Sequence, residues 1–527
     1  MVLWGGLRPI ASRVVVDCLT LTALSYGALV TVQTSADSVS KKETRERSIR
    51  SFLLILLACY LAIETAGSLT NRWTLTLPMV PYLLLQGIRR LTPRTNKLLV
   101  VLHFLLTTSS LACIVVSFAL CILFPAVELP PVQGPYNVGK VDLFLPMKST
   151  DGSHNHSEAV WVRLLYPTLE IPKALPYLTP QTSLDYCYHS MQFGAPPPLK
   201  KFDWMLHTWR LTERWERDGA ALLDTPEPLP VVIFSHGLGG HADIYSYQTH
   251  TLAAQGNIVL TISHADGSSP AINMPSGKII AYNYEPQRIE MEQGYTNQVI
   301  QMRRQQTEMR VQEVVAVTQA IQRWNQHDIH ADLPGGKGLS LKGRLDLQHV
   351  TWIGHSFGGA TVLTAAHRHP ELVHTVIAHE PALDWGHPSA ISSLFAHSRI
   401  ANLTKASVYK HDRFGEPSHD DSIHHSANVF LLFSHEWYRK EWAMIPLLEE
   451  MQDHQRLGSQ KMGTVFSFDY VVDMHHNEFS DTSMLTPLWL ARAVGLTGNR
   501  NPIDTAREVA DKTSAFLDKV RRKRTAK

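Results

Sequence analysis

Cysteine is scarce in this chain of 527 residues: there are five, and Cys18, Cys59, Cys113 and Cys121 fall within the first 128 positions. Cys187 stands alone in the remainder, which cannot close an internal disulfide and must be held by its core, as a segment of that length can be. A surplus of charge of one sign is also missing. Lysine and arginine number 49 against 47 aspartate and glutamate, for a net charge of +2. Without a basic surplus a nucleic-acid partner is not expected. The glycine-rich stretch 334–338 is followed by Leu339 and so lacks the Gly-Lys-Ser/Thr ending of a phosphate-cradling loop. The histidine-rich run 411–425 has none of the spacings of a zinc site and reads as a solvated loop. No cofactor and no metal are expected.

What the N-terminal part has is long apolar runs, at 14–33, 51–69, 73–88 and 98–127. They predict an α-helical transmembrane region of about four spans over residues 1–128. The third run is short and holds Pro78 and Pro81, as a kinked or re-entrant segment would. Lys41, Lys42, Arg45, Arg47 and Arg50 follow the first run, and Arg89, Arg90, Arg94 and Lys97 follow the third. If both basic loops are cytoplasmic, an even number of spans places the rest of the chain on the lumenal or extracellular side. Three spans would place it in the cytosol. The glycosylation sequons at Asn155 and Asn402 agree with the lumenal side.

Residues 129–527 read as one soluble α/β domain. Pro130-Pro131-Val132-Gln133-Gly134-Pro135 is a linker by composition. Strand patterns follow at 140–145, 159–166, 229–234, 258–263, 373–379, 429–434 and 464–469, with a polar helical run at 287–326. An aromatic stretch between 196 and 223 fits either an interfacial helix touching lipid or a lid packed over the core. At 349–361 a β-branched run enters Gly354-His355-Ser356-Phe357-Gly358 and leaves as a helix. That is the strand–turn–helix setting of a nucleophile elbow, whose sharp turn needs glycine two positions before and two after the serine. The predicted fold is therefore an α/β-hydrolase fold, with Ser356 as nucleophile. The backbone N–H of Phe357, and that of Leu238 in the glycine-bracketed turn after the 229–234 strand, are the expected oxyanion donors. Glu380 directly follows the strand after the elbow helix and is the predicted acid. The base comes last in the chain, from Asp473-Met474-His475-His476-Asn477-Glu478-Phe479-Ser480-Asp481, giving the order serine, acid, histidine of this fold.

Together, Gly134-Pro135-Tyr136-Asn137-Val138-Gly139, Phe234-Ser235-His236-Gly237-Leu238-Gly239, the elbow, and His476-Asn477-Glu478-Phe479-Ser480-Asp481 resemble the platelet-activating-factor acetylhydrolase family. The resemblance covers most of the chain from Gly134 onward. It implies metal-free hydrolysis of short or oxidised acyl groups at the sn-2 position of phospholipids. Its His-x-x-Phe-Ser-Asp box favours His476 over His475 as base. The family's acid is usually aspartate, which makes Asp384 in Ala382-Leu383-Asp384-Trp385 the alternative to Glu380. The apolar N-terminal part has no counterpart in the resemblance, so location is not carried over. A general carboxylesterase or neutral-lipid lipase is the neighbouring reading, and a catalytically silent membrane scaffold the one from another class.

Overall fold

The computed structural model describes residues 8–9, 97–123, 127–147, 158–179, 209, 212–327, 339–387, 389–390, 427–439 and 465–525. The chain divides into two compact units, one formed by residues 7–128 with 202–213, the other by most of the remainder. In the first unit the described residues form a helix, α1 (Lys97–Leu123), and a two-residue antiparallel bridge of Arg8–Pro9 with Val127–Glu128.

The expected four spans are corrected here. Among the described residues no helix is long and apolar enough to cross a membrane. Of the four apolar runs, only the fourth is described as a helix; those at 14–33, 51–69 and 73–88 lie outside the described residues. The α1 sequence is broken through its middle by His103, Thr107, Thr108, Ser109 and Ser110. It holds no uninterrupted stretch of about twenty apolar residues of the kind a span takes. The two sequons, Cys187, the aromatic stretch up to residue 208 and the histidine-rich run also lie outside the described residues.

The second unit is built on one sheet. Its strands are β1 (Asn137–Pro146), β2 (Ala159–Thr168), β3 (Glu213–Asp218), β4 (Leu229–Ser235), β5 (Ile258–Ser263), β6 (Leu345–His355), β7 (Thr375–His379), β8 (Asn428–Ser434) and β9 (Phe466–Val471). Their order in space is β3-β1-β2-β5-β4-β6-β7-β8-β9. From β5 to β9 every pairing is parallel, whereas β2 runs antiparallel to both β1 and β5. The order steps from β5 back to β4 and then forward to β6, and a parallel sheet with such a reversal opens a crevice at the carboxyl ends of its strands. This is the α/β-hydrolase fold.

The sequence pattern explains the layers. β4, β5, β7 and β8 are short apolar runs buried on both faces, as parallel strands covered by helices must be. β1 alternates buried and part-exposed residues, as an antiparallel strand near an edge does. The polar run predicted at 287–326 is in fact two helices, Glu285–Gln293 and then α3 (Asn297–Gln326), separated at Gly294 with φ of 80°. The N-terminus of α3 is capped by the Thr296 hydroxyl, which accepts from the Val299 N–H. Its buried stripe of Val311, Val314, Val317, Ile321 and Trp324 recurs at three- and four-residue steps, as a core-facing helix requires. Helix α4 (Phe357–Arg368) joins β6 to β7, and α2 (Ser246–Ala254) joins β4 to β5.

A buried ionic cluster ties β2 to the turn after β4. Arg163 pairs with Asp142 and Asp243, Arg214 pairs with Asp243 and Glu216, and His250 lies 2.8 Å from Glu216. Burial alone would raise the pKa values of these carboxyls. The guanidinium of Arg163 outweighs it at Asp142 and, with that of Arg214, at Asp243 and Glu216, so all three are held below the ordinary carboxylate range. Their stabilisation is fully present above the unfolded-state pKa of about 4 and is lost as pH falls from there through the depressed folded values. Unfolding free energy, measured by urea titration between pH 7 and pH 3, should drop steeply below about pH 4. Asp243→Asn should cost about 3–5 kcal/mol at pH 7, because it leaves two buried guanidinium groups short of an anion, and should flatten that acid slope. A variant as stable as the wild type at pH 7 would show that the cluster contributes nothing.

Candidate active site

The carboxyl ends of β4, β6, β7, β8 and β9 converge on one edge of the sheet. β6 delivers His355, then Ser356 with φ of 55° and ψ of −114°, and α4 begins at Phe357. A left-handed φ is costly for a residue with a Cβ, and here the surroundings enforce it. The Ser356 N–H donates to the His379 carbonyl at 2.8 Å, and the Ser356 carbonyl accepts from Ala382 N–H at 2.9 Å. The flanking glycines are a steric necessity. A Cβ on Gly354 would stand 2.1 Å from the Gly358 carbonyl oxygen, and one on Gly358 would stand 2.0 Å from that of Ser235. Ser356 is only 8% exposed.

Glu380 follows β7 and is fully buried, with φ of 44°. Its carboxylate accepts from the Ser434 N–H at 2.9 Å and from the Ser434 hydroxyl at 3.0 Å. Its Oε1 lies 3.1 Å from Nδ1 of His476, within ion-pair reach although not aligned as a hydrogen bond. Trp437 stacks on the His476 ring at 5.2 Å and 12°, and the His476 N–H donates to the Glu436 carboxylate at 3.1 Å. The ring of His355, the residue before the serine, is 4.7 Å from that of His476. No hydrogen bond joins the Ser356 hydroxyl to His476 in this structure. Such contacts are commonly long before substrate arrives.

Neither alternative residue shares this setting. Asp384 sits in the short 3-10 turn Leu383–Trp385, where its carboxylate accepts from the Tyr295 hydroxyl at 3.4 Å and its carbonyl from Arg304 at 3.2 Å. His475 faces the Gly495 carbonyl at 3.2 Å, and its N–H donates to Glu478. The N–H groups of Leu238 and Phe357 donate to no described protein group, while their neighbours Gly239 and Gly240 donate to Ser268 and Gly237 carbonyls. Phe357 opens α4, so its N–H is one of the free donors at a helix N-terminus.

Several residues around the site gave no signal in the sequence. Arg310 of α3 donates to the His236 carbonyl at 2.7 Å and to Asp266 at 2.9 Å, and its guanidinium lies 4.0 Å above the Phe357 ring. It thus holds the turn after β4 and the start of α4 at once. His264 bridges Ser235 at 2.7 Å and Glu313 at 2.5 Å, behind that same turn. Burial, with Asp266 nearby, pushes the Glu313 carboxyl up to about 8. Arg310 and Glu313 look like solvent-facing residues of a polar helix until the helix's buried stripe is known. Among the described residues no cluster of His, Cys, Asp and Glu could hold a metal ion.

The fold and elbow define the class: an α/β-hydrolase with a serine at the nucleophile position. The family described as platelet-activating factor acetylhydrolase, isoform II, matches residues 121–381, and the general α/β hydrolase fold matches residues 340–461. The chain is 30% identical over 250 residues to the platelet-activating factor acetylhydrolase of Cavia porcellus, covering 46% of this chain and 52% of that protein. It is 32% identical over 254 residues to the protein of the same name from Bos taurus, covering 45% and 51%. The chain thus spans about half the length of the curated relatives it matches. A ferulic acid esterase of Streptomyces cinnamoneus superposes with a TM-score of 0.40 at 16% identity, over 73% of this chain and 91% of that one.

The elbow geometry generates a test of its own. Gly358→Ala should destabilise the domain by about 3 kcal/mol or more in urea unfolding, because the new methyl group must displace the end of β4. An alanine variant that melts with the wild type would mean that the close approach to Ser235 is not needed.

Proposed function

We propose that this chain is a serine carboxylic ester hydrolase that removes short or oxidised acyl groups from the sn-2 position of phospholipids. The observation that carries the reading is the buried Glu380 carboxylate 3.1 Å from His476, at the sheet edge where the elbow presents Ser356. Similarity to the acetylhydrolases over the central half of the chain supports the substrate class.

The chemistry runs in two steps. His476 takes the proton of Ser356 while the serine oxygen attacks the ester carbonyl. The tetrahedral oxyanion is held by the Leu238 and Phe357 N–H groups. Glu380 stabilises the imidazolium and fixes its orientation without taking the proton. His476 then gives the proton to the departing lysophospholipid oxygen, leaving an acyl-serine. Water, deprotonated by the same histidine, attacks that ester and returns the carboxylic acid and free serine. Trp437, stacked on His476, limits tilting of the base. We infer further, from the sequons at Asn155 and Asn402, that the hydrolase domain faces a lumenal or extracellular compartment.

Folded Ser356→Ala and His476→Ala should each lose at least about a thousandfold in turnover and, for the serine variant, all labelling by a fluorophosphonate probe, whereas His475→Ala should stay near wild type. Side by side, Glu380→Gln should lose about a thousandfold or more and Asp384→Asn little. An active Glu380→Gln beside a dead Asp384→Asn would transfer the acid role to Asp384. Competition between a short-acyl phospholipid and a neutral ester of equal acyl length decides the substrate class, and preference for the neutral ester would make the chain a general carboxylesterase. Endoglycosidase should increase gel mobility, and Asn155→Gln with Asn402→Gln should abolish that shift. Digestion of the domain by protease added outside sealed microsomes would overturn the lumenal assignment.

A further inference from the structure

The two oxyanion donors lie on separate segments, Leu238 after β4 and Phe357 after β6, and two such N–H groups work together only if their spacing is fixed. One buried hydroxyl connects these segments. Tyr245, in the 3-10 turn Ala242–Tyr245, accepts from the Gly237 N–H at 2.9 Å and lies 2.9 Å from Nδ1 of His355. Gly237 immediately precedes the first donor, and His355 precedes the serine and the second donor. A Cβ on Gly237 would meet the Tyr245 hydroxyl at 3.0 Å, His355 Nδ1 at 3.2 Å and Ser356 Cβ at 3.3 Å. The three groups therefore converge on a single point beside the nucleophile. A methyl group there would require its neighbours to give by a few tenths of an ångström.

The direction of the hydrogen bonds follows from the chemistry. A phenol has one proton to donate and its oxygen can accept. With the oxygen accepting from Gly237, the hydroxyl proton is available to His355 Nδ1, and in that arrangement the ring carries its proton on Nε2. That requires a neutral His355, and burial, with His476 alongside, holds its pKa well below the usual histidine range. Burial also pushes the Tyr245 phenol well above the usual tyrosine range, so it keeps its proton at any working pH. The tyrosine ring is clamped at 4.8 Å from Phe234 of β4 and 5.8 Å from His355.

We propose that Tyr245 is a positioning residue that sets the distance between the two halves of the oxyanion hole, through the chain Gly237 N–H, Tyr245 hydroxyl, His355 Nδ1. It touches neither substrate nor the reacting atoms. The proposal rests on the esterase reading above for its kinetic consequence, and on geometry alone for its structural one. Phenylalanine at 245 keeps the ring packing and removes only the link, so the two halves are free to part. A misplacement of about 1 Å costs about a hundredfold in rate.

The test uses the full chain. With p-nitrophenyl acetate, Tyr245→Phe should lower kcat about ten- to a hundredfold and leave KM within about threefold, because ground-state binding does not use the oxyanion hole. A purely structural role would move the melting temperature and KM with kcat. Independently of activity, amide exchange in the wild type should show Gly237 protected and Leu238 exchanging fast, and Tyr245→Phe should release Gly237. A folded Tyr245→Phe with kcat within twofold of the wild type would overturn the proposal, and so would fast exchange at Gly237 in the wild type. A wild type without turnover of any ester, but with Gly237 protected and released by the substitution, would sink the esterase reading and leave the tyrosine link standing.

Discussion

The close approach of β6 and α4 to the end of β4 is the constraint from which the site follows. Where Gly358 passes the Ser235 carbonyl there is no room for a side-chain atom, and Gly354 closes on Gly358 from the other side. That contact forces Ser356 into a left-handed conformation and pays for it with backbone hydrogen bonds to His379 and Ala382. Those two partners belong to β7 and the segment after it, so the strain at Ser356 is balanced by the strand that leads into Glu380. Ser356, Glu380 and the turn that holds Leu238 are thereby brought together by one packing event. None of them is positioned by an independent loop.

The second layer behind this contact is polar and almost wholly buried. Arg310 and the His264–Glu313 pair support the turn after β4 from the side of α3, and Tyr245 supports it from the turn before α2. Buried polar groups of this kind cost several kcal/mol each when left unpaired, and little net when satisfied. Such a network therefore makes a poor source of stability and a good source of a single geometry. The elements it joins are those that carry the two proposed oxyanion donors, Leu238 and Phe357.

The sequence made the first layer legible and the second invisible, for a physical reason. Gly354, Ser356 and Gly358 obey local stereochemistry, and local stereochemistry is written in neighbouring residues. The same holds for the apolar strands, and for Leu238 in its glycine-bracketed turn. Arg310, Glu313 and Tyr245 act through residues far away in sequence, so nothing beside them distinguishes them from surface residues of a polar helix or turn. The expectation of four spans failed differently. The fourth apolar run has the polar centre of α1 within it, and the other three lie outside the described residues.

Glu380, the residue proposed as the acid, shows where the two layers meet. Being directly after β7, Glu380 has its backbone fixed by the elbow, with its N–H donating to Leu432 at 2.8 Å. Its side chain is then drawn along the end of β8, where the N–H and hydroxyl of Ser434 each bind one carboxylate oxygen. A carboxylate reaching across the strand gap to Ser434 while keeping one oxygen near His476 has to bridge from one strand to the next. The extra methylene of glutamate provides that reach at a backbone position with φ of 44°. Asp384 is four residues further on, after the chain has turned toward α3, and its carboxylate is engaged by Tyr295 there. The choice of glutamate is thus tied to the strand spacing, and the aspartate beyond it serves to dock the turn Leu383–Trp385 against the neighbouring layer.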